Sequence, residues 1–176
     1  MSVPEIDDIN SILRSFRPGE TVLVEYTPAS SPELLLYLVV SRALEDKVPV
    51  LIDDIADTFS QYVKRLDMPE ETACNPVLGV YKVISALEER EVRRLIRSIG
   101  GETGNKRRFA LYFVNEPLLR ETVPEALPLL EEMATTIVKW ESEGGLYRLR
   151  VEKSANPEIE GTSVTIKLQE LLKELL

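Results

Sequence analysis

Short apolar runs alternate with amphipathic stretches along most of the chain, and this alternation predicts strands followed by helices. Runs rich in β-branched and aromatic residues predict seven strands, at residues 21–26, 48–52, 76–84, 109–114, 136–140, 146–151 and 163–167. The glycine turn at residues 143–145 joins two of them as a C-terminal antiparallel hairpin. Strands that alternate with helices usually pair in parallel and are covered on both faces, so the pattern predicts a three-layer α/β fold with a mostly parallel sheet.

Apolar residues at helical spacing predict the helices between these strands. Ser31 before Pro32 is typical of an N-cap followed by proline at the first helical position. The helix that follows is apolar nearly all round, so we expect it to be buried. Ser85 and Glu88 match a capping box at the start of another helix, and Asp57 matches an N-cap. The remaining helices are predicted at about residues 6–16, 125–134 and 168–175.

Composition excludes much of hydrolase chemistry. The 176 residues contain no histidine and one cysteine, Cys74, so histidine-dependent triads, the usual zinc sites and an internal disulfide are not expected. Neither a signal peptide nor an apolar run of about 20 residues is found, which predicts a cytoplasmic protein with no membrane partner. The length fits a single domain over residues 1–176.

Residue usage and charge add two expectations. Glutamine is rare while glutamate and arginine are abundant, a bias that resembles the composition of hyperthermophile proteins. The formal net charge of −9 makes general binding of duplex nucleic acid unfavourable unless positive charge is concentrated locally.

The segment at residues 19–25, with the Pro/Ser loop and apolar helix after it, resembles the start of RecA/KaiC-type P-loop ATPases. The run at 48–52 resembles the second strand of that family, and residues 136–153 resemble its terminal hairpin. The chain also resembles an uncharacterised archaeal family from Pyrococcus and Thermococcus, for which no function is implied. The resemblance implies a three-layer RecA-like domain.

The positions that correspond to the phosphate-binding signature carry the wrong residue types. Tyr26, Ser31, Pro32 and Glu33 stand where the pattern G-x-x-x-x-G-K-[ST] requires glycines, lysine and a hydroxyl. Tyr26 adds bulk, Pro32 has neither an N–H nor an ammonium group, and Glu33 repels phosphate at the helix N-terminus. We therefore expect no conventional ATP hydrolysis, no catalytic residue and no bound cofactor.

Acids that could hold Mg²⁺ are also poorly placed in the sequence. The third and fourth predicted strands end near Ser85 and Asn115, which cannot replace a metal-binding carboxylate. Asp53 and Asp54 follow the second strand, with Asp57 close by. They could form a cation or general-base site, but helix capping explains the same pattern and we favour it, so no metal site is predicted.

A basic segment stands out against this acidic background. Between residues 90 and 108 the net charge is +5, which leaves −14 on the rest of the chain. Four arginines recur at helical spacing on one side, opposite an apolar stripe. This arginine segment could bind anions, nucleic acid or an acidic partner, although such charge runs usually form solvated helix faces. Its basic residues are Arg90, Arg93, Arg94, Arg97, Lys106, Arg107 and Arg108.

These patterns favour a non-catalytic RecA/KaiC-like binding or assembly module. One alternative is an atypical nucleotide-binding protein or ATPase, and another is a nucleic-acid accessory protein that uses the arginine segment. A homodimer is expected because the basic segment complements the acidic remainder and the C-terminal helix is rich in leucine. Nucleic acid is the less favoured partner, since no aromatic residue is interleaved for base stacking.

Overall fold

A computed structural model of the protein describes residues 6–54 and 72–175. The described residues form seven strands and seven α-helices. The strands are β1 (Thr21–Tyr26), β2 (Asp53–Asp54), β3 (Ala73–Leu78), β4 (Arg108–Asn115), β5 (Thr136–Glu143), β6 (Leu146–Lys153) and β7 (Ser163–Lys167). The helices are α1 (Ile6–Arg14), α2 (Pro32–Glu45), α3 (Val80–Ala86), α4 (Glu89–Gly101), α5 (Glu116–Thr122), α6 (Ala126–Met133) and α7 (Leu168–Leu175).

The strands form one sheet in the order β2-β3-β4-β1-β5-β6-β7. The four pairings from β2 to β5 are parallel, and β6 and β7 add to this sheet in antiparallel fashion. The predicted α/β class with a C-terminal antiparallel hairpin is therefore confirmed. All six residues of β1 are buried, because the strand lies between β4 and β5 and is covered on both faces.

Helices cover both faces of the sheet and produce two apolar clusters. One cluster packs α1, α2 and α7 against one face, and the other packs α3, α4, α5 and α6 against the opposite face. Side chains of β1 alternate between them: Val22 and Val24 belong to the first cluster and Leu23 to the second. This period of two is what a strand buried on both faces requires.

The predicted third strand is wrong at both ends. β3 spans Ala73–Leu78, and the chain then turns at Gly79, whose φ of +80° suits glycine, into helix α3. Val80 and Ile84 have high β-propensity, but both are buried in the second apolar cluster from a helical backbone. Tertiary packing against the sheet therefore overrides the local preference of this segment.

The predicted second strand is also displaced. Its residue Val50 makes only an isolated parallel bridge to Cys74, and the two-residue strand β2 follows it at Asp53–Asp54. The Pro49 carbonyl accepts from the Cys74 N–H, but Pro49 has no N–H of its own to continue a ladder. The segment thus lies beside β3 without becoming a regular strand.

Helix boundaries near β4 differ from the expectation too. Ser85 lies inside α3, where its hydroxyl donates to the Tyr81 carbonyl at 2.8 Å, and the capping box is formed by Glu88 and Glu91 instead. Helix α5 was not predicted; it begins directly after β4, where Asn115 accepts from the Leu118 N–H at 3.1 Å. A polar strand end followed by Glu-Pro is a weak signal for so short a helix.

Burial of α2 is less complete than the apolar composition predicts. Leu35 and Leu38 are buried, but Tyr37 and Leu44 are 44% and 62% exposed. The helix predicted to begin at Asp57 lies outside the described residues. No helix in the described ranges is long and apolar enough to cross a lipid bilayer.

Candidate functional site

The loop between β1 and α2 occupies the carboxyl end of the central strand, where ligands usually bind in open α/β sheets. It consists of a 3-10 turn, Pro28–Ser30, followed by Ser31 with φ +47°. Helix α2 then begins at Pro32, as the sequence predicts, although the Ser31 side chain makes no capping hydrogen bond.

Carbonyl groups of this loop are held by side chains of β5. The buried Trp140 indole donates from Nε1 to the Ser30 carbonyl at 2.6 Å. The Ser142 hydroxyl donates to the Ala29 carbonyl at 2.7 Å. Together these two bonds fasten the loop to the neighbouring strand through its acceptors.

Several N–H groups of the loop are already used within it. The Ser30 N–H donates to the Thr27 carbonyl at 3.0 Å, and the Leu34 N–H donates to the Ser31 carbonyl at 3.0 Å. Pro32 has no N–H, and Glu33 places a carboxyl group in the first turn of α2. A phosphate would need converging N–H donors at this point, and these residues supply few.

Beside the loop lies a small pocket of about 140 Å³, which we call the aromatic pocket. Tyr26 and Tyr81 meet edge to face, with ring centroids 6.4 Å apart and ring planes at 84°. Burial, together with the neighbouring Tyr81 hydroxyl and the Glu33 carboxyl, raises the pKa of Tyr26, so its phenol stays neutral at physiological pH. The lining residues are Tyr26, Pro32, Glu33, Leu36, Leu78, Gly79, Tyr81 and Phe113.

Asp53, the first of the acids that follow the second predicted strand, is not among the residues that line this pocket. Asp53 accepts a hydrogen bond from the Asn75 amide at 3.0 Å, and Asn75 in turn accepts from Arg108 at 2.8 Å. The Asp54 side chain and Asp57 lie outside the described residues. Within residues 6–54 and 72–175, no group of histidine, cysteine or acidic side chains is arranged to hold a metal ion.

A charged cluster lies on the opposite face of β1. Glu25 is 1% exposed, and the Lys139 ammonium nitrogen of β5 lies 3.5 Å from its Oε2 and 3.7 Å from Glu116 Oε1. Burial and the neighbouring Glu131 carboxyl raise the pKa of Glu25 to about 8, although Lys139 opposes the shift. Arg120 pairs with Glu116 at 2.9 Å. We call these five residues the charged cluster.

The arginine segment is mostly exposed. All four arginines of α4 lie at the surface, as the helical spacing predicts, but Arg108 is half-buried and bonds to Asn75 and Glu102. In the described part of the chain, Arg93 also has an ion-pair partner, Glu89 at 3.0 Å. No ion pair within those ranges involves the other five basic residues, Arg90, Arg94, Arg97, Lys106 and Arg107. We call the six exposed residues, without Arg108, the arginine surface.

An apolar groove runs alongside this surface, between α4 and α6. Arg93 and Arg97 stand on one side of it, and Leu129 and Met133 of α6 on the other. Ile96 forms part of the floor. Cations and accessible apolar area therefore occur together on this face of the molecule.

Cys74 has no role in these arrangements. It is fully buried within β3, and burial raises the pKa of its thiol to about 12. A neutral thiol without solvent access is a poor nucleophile.

Sequence reasoning missed the charged cluster and two walls of the aromatic pocket. A signal for the cluster exists, because Glu25 and Lys139 interrupt otherwise apolar strand runs and β1 pairs with β5 at that register. Tyr81 and Phe113 carry no comparable signal. They reach the pocket because β3, α3 and β4 meet there, which local periodicity does not reveal.

The fold is of the RecA/KaiC-like type, with a mostly parallel sheet and a C-terminal antiparallel hairpin. A family model described as "Pyrococcus protein of unknown function, DUF257" matches residues 11–69 and 68–165. The chain belongs to this family. No curated protein matches the chain significantly in sequence.

Solved structures from archaea share the architecture. A Pyrococcus horikoshii protein, the subject of a structural study under the project label PH0250, is 26% identical with a TM-score of 0.75, over 90% of this chain and 97% of that one. The flagellar accessory protein FlaH of Methanocaldococcus jannaschii is 12% identical, with a TM-score of 0.65 and 92% and 91% coverage. The KaiC-like protein PH0186 of Pyrococcus horikoshii is 10% identical, with a TM-score of 0.63 and 89% coverage of each chain. At such identities the last two define the fold alone.

Proposed function

We propose that this protein is a non-catalytic RecA/KaiC-like binding or assembly module whose loop after β1 no longer serves a nucleotide. The observation that carries the proposal is the fastening of that loop by Trp140, whose indole bonds the Ser30 carbonyl at 2.6 Å. A loop held through its acceptors, and followed by Pro32 and Glu33, presents little to a triphosphate.

The electrostatics of the loop support the same proposal. Phosphate groups are stabilised at a helix N-terminus by free N–H groups and the positive end of the helix dipole. Glu33 places a carboxylate in that first turn, and Leu34 already uses its N–H in a bond to Ser31. A nucleotide would therefore meet repulsion where related folds supply donors.

Calorimetry with ATP and Mg²⁺ tests this proposal against an atypical nucleotide-binding protein or ATPase. We expect no heat of binding at ATP concentrations across the micromolar range. We also expect the rate of phosphate release to equal that of buffer without protein. Clear micromolar binding by the wild-type chain would refute the proposal and favour the atypical nucleotide-binding alternative.

For the assembly role we propose the arginine surface and the groove beside it as the contact face. The groove has Arg93 and Arg97 on one side and Leu129 and Met133 on the other. The chain outside the basic segment carries −14. A second copy of this acidic protein supplies the complementary charge, so a homodimer is the assembly that we propose.

The contact is tested by light scattering on Arg94→Glu combined with Arg97→Glu. We expect the wild type to be dimeric and this variant to dissociate at least tenfold more readily, with added salt weakening the wild-type dimer as well. Lys47→Glu with Lys167→Glu changes the net charge equally, away from α4, and serves as the matched control. A wild type that scatters as a single chain at high concentration would contradict the proposal.

Two alternative contacts predict different results, one in light scattering and one in fluorescence anisotropy. If the C-terminal helix forms the contact through Leu172, which is 41% exposed, Leu172→Glu dissociates the dimer with little salt dependence. If the arginine surface binds nucleic acid, fluorescence anisotropy with single- and double-stranded probes rises at low salt and falls at high salt. Binding of that kind, lost in the Arg94 and Arg97 variant, would replace the homodimer proposal.

A further inference from the structure

We propose that the aromatic pocket binds a small organic cation, of the methylated or alkylated ammonium class. The inference rests on the proposed function in one respect, namely that no nucleotide occupies this end of the sheet. Its evidence is separate: three aromatic side chains and one carboxyl group of the described residues surround a single small cavity.

The rings are arranged as walls. Tyr26 and Tyr81 stand perpendicular to each other, at 84°, and Phe113 adds a third aromatic side to the same cavity. The faces of aromatic rings attract a cation placed within about 6 Å of the ring centre, and the attraction grows when water is excluded. Tyr26 and Phe113 are 9% and 2% exposed, so the inner part of the cavity is largely removed from water.

The charge of the pocket also favours a cation. Among its lining residues Glu33 is the one acidic residue and none is basic; Glu33 lies on the first turn of α2. The dipole of α2 places about half a positive charge at this end, which opposes a cation. The full negative charge of Glu33 exceeds that half charge, and the net charge of −9 adds a favourable long-range field.

The size of the cavity restricts the ligand. Its volume of about 140 Å³ is close to the roughly 150 Å³ of an engineered cavity that holds benzene. A trimethylammonium group or a short alkylamine fits such a space. The apolar side chains Leu36 and Leu78 contact methyl groups well and offer nothing to an anion.

Calorimetry and saturation-transfer NMR with choline and 3,3-dimethyl-1-butanol test the inference. The two molecules have nearly the same shape, and only choline is charged. We expect choline to bind with a millimolar or lower dissociation constant, at least about tenfold tighter than the neutral alcohol. In the NMR experiment, saturation of aromatic protons of the protein should be transferred to choline. Equal binding of the two would overturn the inference, because it would mark a simple apolar cavity. Absence of choline binding would overturn it as well.

Variants locate the site. Glu33 is exposed, so Glu33→Gln should not disturb folding. We expect this variant to weaken choline binding at least fivefold. Glu132→Gln, an exposed substitution outside the pocket, is the matched control and should change affinity less than twofold. Tyr81→Leu should abolish the preference for choline over the alcohol. Unchanged binding in Glu33→Gln would contradict the proposed site even if Tyr81→Leu proves unstable.

Two further ligands separate this inference from the proposed function and identify the source of the cation. If ATP with Mg²⁺ displaces choline, the proposal that the loop no longer serves a nucleotide is refuted. If neither choline nor ATP binds, only the cation site is refuted. A peptide with trimethyllysine that binds more tightly than choline assigns the pocket to a protein side chain. Weaker binding of the peptide than of choline assigns it to a free molecule.

Discussion

Glu25 and Tyr26 are consecutive residues at the carboxyl end of β1, yet their side chains lie in two very different environments. Tyr26 lines an aromatic pocket under α2, and Glu25 lies in a charged cluster beneath α5 and α6. The difference follows from the alternation of side chains along a strand, which sends neighbours to opposite faces.

The polar groups on the two faces are arranged differently. On the Tyr26 face, polar groups fasten the loop and leave a small cavity that is open to a ligand. On the Glu25 face, Lys139 lies beside the carboxyl groups of Glu25 and Glu116, and Arg120 lies beside those of Glu116 and Glu131. Burial of such a network is costly unless its members pair, so the charged cluster is a structural feature whose energy depends on protonation. A ligand site is thus better supported on the Tyr26 face.

The largest effect is expected from the helix that covers the Tyr26 face. Leu38 is 1% exposed, so Leu38→Ala should lower the free energy of unfolding by about 2–5 kcal/mol through the cavity that it leaves. Leu36 is only half-buried at the pocket, and Leu36→Ala should cost less than about half as much. Urea unfolding of both variants measures the difference. Equal losses would mean that the pocket is as tightly packed as the core.

A substitution at Glu25 examines the opposite face. The folded-state pKa is raised from 4.5 to about 8, so the folded protein binds the proton more tightly than the unfolded chain does. Stability from this group is therefore complete below about pH 4.5 and is lost progressively as the pH rises towards 8. Glu25→Gln should remove this pH dependence, measured by urea unfolding at pH 5, 7 and 9.

Glu132→Gln is the control for that series and should keep the wild-type pH dependence, because Glu132 is exposed. If Glu25→Gln instead loses more stability at pH 9 than at pH 5, the ion pair with Lys139 dominates. The two faces would then differ less than the pKa of Glu25 indicates.

Trp140 provides a third comparison, since it connects the loop to the sheet on the Tyr26 face. Trp140→Phe keeps an aromatic ring but leaves the Ser30 carbonyl without its indole donor, at a cost of about 1–3 kcal/mol. Hydrogen exchange of the loop amides should accelerate more than exchange in β4. Uniform acceleration across the sheet would show that the indole bond has no local effect on the loop.

The smallest effect is expected from introducing two residues of a phosphate loop. Pro32→Lys with Glu33→Thr removes the repulsion and adds an ammonium group, but Trp140 still holds the loop carbonyls. We expect the affinity for ATP with Mg²⁺ to rise less than about tenfold, as measured by calorimetry. Micromolar binding in the double variant alone would show that the backbone of the loop is competent after all.

The sequence predicted the antiparallel end of the sheet more accurately than its beginning. Buried and exposed residues alternate along β6 and β7, and a glycine turn joins β5 to β6, so the local pattern was sufficient for these three strands. At residues 76–84 the local pattern indicates one long strand, while the protein makes a strand, a glycine turn and a helix. That choice depends on burying Val80 and Ile84 against β4 and α5.

The candidate sites divide in the same way. Residue types alone determined that the loop after β1 lacks the lysine and glycines of a phosphate loop, and that four arginines share the exposed side of α4. Only the tertiary structure placed Phe113 and Tyr81 beside Tyr26, turned Arg108 towards Asn75, and brought Glu131 against Glu25. Periodicity reports which face a residue occupies on its own element, whereas a site depends on which elements meet, and those contacts join residues far apart in the chain.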